Sequence, residues 1–320
     1  MKKKINTALP ALSRMGVLLL IIVMGVIIDP SFLSLRNISN NLANASILII
    51  LGVGETVAII TNGPDLSAGS IMTMGGVVTA ILLKNYQIHF VVAILGGLAV
   101  GALLGAINGY MIAYIKIPAF ISTYGLQWAV FGFAYVVLNG YVIYSFDDAF
   151  RFIGNGTVFK YFSMTTVCMM VIAVIGTLLL KHTTLGRKFY SVGSNAVQAN
   201  MSGIDSKKVI MKAFVFSGLM SAAAGILYVA RMNSVQSDIG SAYLLNVLAA
   251  VYMGGTSAAG GEGGIPGTIV GALAVTMVAN CMNLLAVSSE MRDAVIGFLI
   301  IVTVLLDTTM RRQMEKRKSV

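Results

Sequence analysis

The sequence predicts an all-α integral membrane protein with about ten transmembrane helices, some of them broken or re-entrant. Three observations predict it. Only 11% of the 320 residues are charged and 57% are apolar, with a mean hydropathy of +0.87, whereas a soluble domain carries about 25% charged residues. Long stretches hold no Asp, Glu, Lys or Arg, among them 37–54, 66–83, 85–115, 117–146 and 263–289. The Lys and Arg behind the net charge of +10 cluster between those stretches. They are not interleaved with aromatics, as a nucleic-acid groove would require, so no nucleic-acid partner is expected. The composition excludes an ordinary soluble enzyme, a disordered chain and a disulfide scaffold. Cys168 and Cys281 lie in apolar runs and read as small hydrophobes.

A crossing helix needs about 20 residues, because 1.5 Å per residue must cover roughly 30 Å of hydrocarbon. On that measure spans fall near 10–28, 42–61, 66–83, 88–113, 118–139, 161–180, 211–230, 242–256, 267–287 and 292–306. The first follows Lys2-Lys3-Lys4, but Ile28-Asp29-Pro30-Ser31 offers no small-residue cleavage site. It therefore reads as an uncleaved anchor. With these spans, every one of the 22 basic residues except Arg36, Lys84, Arg151, Lys160, Arg231 and Arg292 falls on one side. Basic residues mark the cytoplasmic face, so both termini are placed there, which demands an even number of spans. The chain reads as a single domain, 1–320, with a cytoplasmic N-tail at 1–14, a large cytoplasmic loop at 181–210 and a basic C-tail at 307–320. The long outer loop, 140–160, carries aromatics with Asp147 and Asp148 and reads either as a partner-docking loop or as an interfacial aromatic belt.

Glycine spacing predicts how the helices pack. Gly97, Gly101, Gly105 and Gly109 make three consecutive GxxxG steps in the fourth span, and Ser217, Ser221 and Gly225 repeat the pattern in the seventh. Lipid gives helices no hydrophobic reason to associate, so close backbone approach through small residues must hold them.

Two segments break the hydrocarbon pattern. In 52–70, Glu55 lies inside the second span, where a charge costs about 2.5–3.5 kcal/mol on insertion scales and must face protein or water. Thr61-Asn62-Gly63-Pro64-Asp65 then halts the helix, and Asp65 or Ser67 is placed to cap the third span. The second segment, 254–267, has seven glycines in fourteen residues and includes Thr256, Ser257 and Glu262. Ala68-Gly69-Ser70-Ile71 faintly echoes Pro266-Gly267-Thr268-Ile269, hinting at an internal repeat. Both segments read either as tight cytoplasmic hairpins with helix caps or as elements of a translocation path or gate.

No catalytic constellation is present. There is no GxxxxGK[ST] phosphate loop and no HExxH, and His89 and His182 are the only histidines. No metal site and no cofactor is expected on this chain. Energy for transport must come from another subunit; the alternative is a self-contained proton-coupled transporter using Glu55. Neutral polar residues in the spans are the candidates for a solute path: Thr61, Asn62, Asn108, Gln127, Trp128, Asn246, Asn280 and Asn283, joined by Glu55, Asp65, Ser67, Thr256 and Ser257 from the two breaks. Each is equally compatible with an interhelical hydrogen bond or an interfacial anchor.

The large cytoplasmic loop reads His182-Thr-Thr-Leu-Gly-Arg-Lys-Phe-Tyr-Ser-Val-Gly-Ser-Asn-Ala-Val-Gln-Ala-Asn-Met-Ser-Gly-Ile-Asp205. It resembles the coupling loop of the permease subunits of ribose-type monosaccharide ABC importers, where T-x-x-G-R…x-x-G-x-N…A-A…S-G-I recurs. Ile59 to Ser70, Leu248 to Ser257 with Gly260 to Thr268, and the last apolar span ending at Asp307 resemble that family in the same order. Pro64, Asn200, Glu262 and Gly264 depart from its usual residues. The resemblance implies a pore of two permease chains, identical or different, in a bacterial plasma (inner) membrane. It also implies ATPase partners that hold ATP and Mg, and an extracytoplasmic sugar-binding protein. A short helix near 194–203 would couple to the ATPase, with Gly186, Arg187, Gly193, Ser194, Asn195, Ala199, Ser202, Gly203 and Ile204 as coupling residues.

Overall fold

The computed structural model describes residue 16, residues 18–158 and residues 162–318; the N-tail read at 1–14 lies outside the described residues. The chain is a bundle of helices. In order they are α1 (Leu18–Ile28), α2 (Leu35–Ile60), α3 (Ala68–Lys84), α4 (Phe90–Tyr110, continued by a π-turn at Met111–Ile115), α5 (Ala119–Leu138), α6 (Asp148–Asn155), α7 (Met164–His182), α8 (Thr184–Ser194), α9 (Ala196–Met201), α10 (Ser206–Met232), α11 (Tyr243–Met253), α12 (Ile265–Leu284) and α13 (Ser289–Lys318). A helix lies at each range where a span was expected. Six are long and apolar enough to cross a membrane: α2, α4 with its π-turn, α5, α7, α10 and α12. Shorter apolar helices are α1, α3 and α11.

Local chemistry sets the ends. Asp205 accepts the Lys208 N–H at 3.2 Å and starts α10, earlier than the expected 211. Pro266 lies in the first turn of α12, where its missing N–H costs nothing. α5 and α10 end on Asn139 and Asn233, both left-handed at φ +49° and +55°.

The core is built around α2. From Ala45 to Ile60 every residue is buried, enclosed by α7, α10, α11 and α12. The α4 glycine stripe packs on α10, but on its Met211, Phe214, Gly218 and Ala222 face; Ser217 and Gly225 of the α10 stripe turn instead to Gly54 of α2 and the Met72 carbonyl of α3. A Cβ added at Gly101 would strike the Gly218 carbonyl and Ala222, one at Gly105 the Phe214 carbonyl, and one at Gly109 the Met211 backbone. The α4–α10 seam is thus backbone against backbone, the close approach that association in lipid requires.

Three regions depart from the expectation. The expected eighth span, 242–256, is helical only over α11, and its eleven residues rise only about 16 Å. Gly254 and Gly255, the latter at φ +79°, end it. Before α11, non-helical chain enters the bundle, with Ile239 and Gly240 buried and the Gly240 N–H bonded to Thr73 Oγ1 at 3.0 Å. The outer loop carries α6 and a short antiparallel pairing of 143–144 with 234–235. Phe146 and Phe150 are buried there while Tyr141 and Tyr144 are exposed. The large basic loop holds a full additional helix, α8, amphipathic through buried Phe189 and Val192 and capped by Thr183.

Candidate functional site

The break after α2 turns a carboxylate inward. Thr61 donates its hydroxyl to the Ala58 carbonyl at 2.8 Å, Asn62 adopts φ +64°, and Pro64 prevents further helix. The chain reverses and delivers Asp65 to the protein interior. Its N–H donates to Glu55 Oε1 at 3.0 Å. Asp65 Oδ1 accepts the Ser67 N–H at 3.1 Å and the Ser67 hydroxyl at 2.6 Å, and Oδ2 accepts the Ser217 hydroxyl at 2.8 Å. Asn108 Nδ2 donates to Ser67 Oγ at 2.8 Å, and Ser122 donates to Asn108 Oδ1 at 3.1 Å. Glu55, Asp65, Ser67, Asn108, Ser122 and Ser217 are all buried. They join α2, the break, α3, α4, α5 and α10 in one polar network. The three donors answer the buried Asp65 carboxylate, as burial of a charge requires. Glu55 Oε2, equally buried, has no hydrogen-bond partner among the described residues.

The second break folds onto the first. The Gly261 N–H donates to the Ile60 carbonyl at 2.9 Å, and the Ser257 N–H donates to the Glu262 carbonyl at 3.0 Å, closing the loop. Gly260 and Gly261 adopt φ +79° and +73° and Gly263 φ +135°, conformations that only glycine takes without strain. The end of α8 packs against the same junction. A Cβ on Gly193 would collide with the Ile60 carbonyl and the Gly261 N–H, and the Tyr190 hydroxyl donates to the Gly263 carbonyl at 2.9 Å. Burial pushes the Tyr190 hydroxyl above the ordinary phenol range, so it stays a donor. The expected helix near 194–203 is α9, opened by Asn195 Oδ1, which accepts the Val197 and Gln198 N–H groups at 3.0 Å each. Ser202 and Gly203, at φ +79°, close it, and the Ile204 N–H bonds back to the Ala199 carbonyl at 3.0 Å. Gly186 is buried against the Leu179 and Leu180 carbonyls, and Arg187 is exposed.

The other candidates are dispersed. Gln127 is buried with its Oε1 unpartnered among the described residues, whereas Trp128 one residue on is 61% exposed. Phe120, Tyr124 and Trp128 form an exposed ladder along α5, with ring centroids 5.8 and 6.3 Å apart. Asn280 pairs with Asn37 at 3.2 Å, Asn283 accepts from Arg292 at 3.0 Å, and Asn246 donates back to the Ala242 carbonyl at 2.7 Å. Thr256 is buried against Gly263 with its hydroxyl unpartnered among the described residues, and Ser257 Oγ accepts the Ala259 N–H at 3.1 Å.

Residues 37–304 match the family described as branched-chain amino acid transport system / permease component. The chain belongs to this permease family. It is 35% identical over 298 residues to the ribose import permease protein of Escherichia coli (strain K12), covering 91% of each chain. It is 36% identical to the ribose import permease protein of Bacillus subtilis (strain 168), covering 92% of this chain and 91% of that one. It is 32% identical to the D-allose transport system permease protein of E. coli (strain K12), over 90% and 88% of the two chains. No solved structure matches the permease.

Sequence reasoning missed part of this site. Ser217 read only as a small packing residue, yet it holds Asp65. Ser122 and Tyr190 carried no local signal, because each becomes polar infrastructure only through a partner distant in sequence, Asn108 and Gly263.

Proposed function

We propose that the chain is the membrane-spanning permease subunit of a binding-protein-dependent ABC importer for a monosaccharide such as ribose or a similar small polar solute. In this reading it is one domain with about ten crossings, α11 and the chain before it sharing one, and with both termini in the cytoplasm of a bacterium. ATP and Mg belong to a partner ATPase, this chain holds no cofactor, and a second permease chain completes the pore. An extracytoplasmic sugar-binding protein delivers solute to the outer face.

The observation that carries the reading is the junction at Ile60, Gly193 and Gly261. The end of α8 packs on the tips of both broken segments, and α9 follows it directly and presents Val197 and Met201, 69% and 85% exposed, to the surroundings. A partner that moves α9 therefore moves both breaks together. The network around Asp65 then ties that motion to α3, α4, α5 and α10. The ladder of Phe120, Tyr124 and Trp128 supplies aromatic faces on which a sugar ring stacks. The relatives' ribose and allose names support the solute class.

Affinity purification from native membranes in gentle detergent tests this. An ATPase with a phosphate loop and a sugar-binding protein are expected to co-purify, and the reconstituted assembly should accumulate labelled ribose or another monosaccharide only with ATP. A chain that purifies alone and moves solute under a proton gradient would overturn the reading and put Glu55 at the centre.

A further inference from the structure

One face of α10 forms a groove of about 450 Å³ lined by Leu185, Lys208, Met211, Lys212, Val215, Phe216 and Leu219. Its polar groups are confined to one end. Lys208 and Lys212 are exposed at the start of α10, and everything below them is apolar. From Lys208 to Leu219 the helix rises about 16 Å, close to the depth of one leaflet of a roughly 30 Å hydrocarbon core. Lys208 lies 3.3 Å from Asp205 in an exposed pair, and among the described residues Lys212 forms no ion pair. The neighbouring Lys207 lies 5.7 Å from the centroid of the Tyr114 ring.

We propose that this groove is a binding site for an acidic phospholipid, its headgroup phosphate held by Lys208 and Lys212 and one acyl chain lying along Met211, Val215, Phe216 and Leu219. Charge complementarity selects the lipid: a basic rim at headgroup depth over an apolar floor matches an anionic head on a hydrocarbon tail. A symmetric second copy is disfavoured, because rotation about the membrane normal would set its lysines at the same depth and like charges would meet. A soluble partner could reach the lysines but not the floor. Leu185 belongs to α8, so the acyl chain bridges the coupling unit to α10, and lipid occupancy should favour one position of that unit.

The test is native mass spectrometry of the full transporter, delipidated in detergent and then offered phosphatidylglycerol or phosphatidylcholine. The wild type should retain phosphatidylglycerol at least several-fold better. The variant Lys208→Gln/Lys212→Gln should drop to the phosphatidylcholine level, and Leu219→Trp, which fills the floor, should lose retention with both lysines intact. Equal retention of the two lipids overturns the proposal, as does full retention in the double variant. So does displacement by soluble glycerol phosphate, which would mean a headgroup site alone. If the double variant sheds the ATPase while keeping phosphatidylglycerol, the lysines serve a protein contact and the lipid assignment fails. The lysines are exposed, so elution of the double variant at the wild-type volume keeps the test decisive even if Leu219→Trp misfolds. Bound lipid is read directly, so the outcome is separable from whether the solute is a sugar.

Discussion

The Gly261 N–H donates to the Ile60 carbonyl at 2.9 Å, tying the tip of the second glycine-rich break to the last residue of α2. Gly193 of α8 closes over the same carbonyl with no room for a side chain. Two segments 201 residues apart in sequence thus share one contact point with the loop proposed to couple to the ATPase.

Gly193→Ala should break that point. Overpacking of a closed contact costs about 1–3 kcal/mol, so ATP-driven uptake should fall roughly tenfold while membrane abundance is largely kept. Uptake by reconstituted vesicles, normalised to protein by immunoblot, checks it; wild-type rates would show that the contact is not needed.

Gly101→Leu should damage assembly itself. The new side chain would meet the Gly218 carbonyl and Ala222 across the α4–α10 seam. Loss of about 1–3 kcal/mol or more is expected, seen as a lower thermal transition in detergent and reduced membrane yield. An unchanged transition would remove the seam from the packing argument.

Ser217→Ala leaves Asp65 Oδ2 without its 2.8 Å donor. A buried acceptor left unsatisfied costs about 1–3 kcal/mol. The same thermal measurement should show the drop, and Asp65→Asn/Ser217→Ala should lose less than the two single changes summed, because the two residues are coupled. Strict additivity would contradict the network.

Asn195→Ala removes the cap of α9, worth about 1 kcal/mol, whereas Asn195→Asp keeps it. Stimulation of the partner ATPase by the binding protein should weaken in the first variant and persist in the second. Equal behaviour of the two would exclude capping as the role of Asn195.

Asp205 gives a pH dependence with a definite sign. The Lys208 backbone N–H holds its carboxyl below the usual carboxylate range, with the Lys208 ammonium adding to the effect. A folded-state value below the unfolded one, about 3.9, stabilises the fold above that pH and is lost as pH falls through the folded value. Asp205→Asn should lower the thermal transition slightly near neutrality, where the ionised carboxylate stabilises the fold, and converge with the wild type in acid, flattening the limb below about pH 5.

Much of this was legible before any coordinates. The places of the helices followed from charge-free runs, because hydrocarbon excludes ions over a fixed thickness. The halt at Pro64 followed from local backbone chemistry, and the short helix near 194–203 from the resemblance of its loop. α8 was not legible as a helix: it is short, and its buried face is set by the junction it packs on. The entry before α11 was hidden for a related reason: 233–241 is polar and lay outside the expected span, and only a partner such as Thr73 shows that its chain runs inside the bundle.

By itself, then, the sequence determined where the helices lie, where they break and that the small-residue faces of α4 and α10 must each pack closely on a neighbour, all consequences of short-range sterics and the cost of charge in lipid. Only the tertiary structure decided that the α4 glycine stripe packs on α10 while Ser217 and Gly225 of α10 face α2 and α3. It alone brought the two breaks and α8 together at Ile60, and aimed Ser217 and Asn108 into the Asp65 network while Asn280 and Asn283 bond Asn37 and Arg292. Apart from Asn283 with Arg292, those pairings join residues tens to hundreds of positions apart, and hydrogen-bond partners at that distance are chosen by packing, which no local pattern encodes.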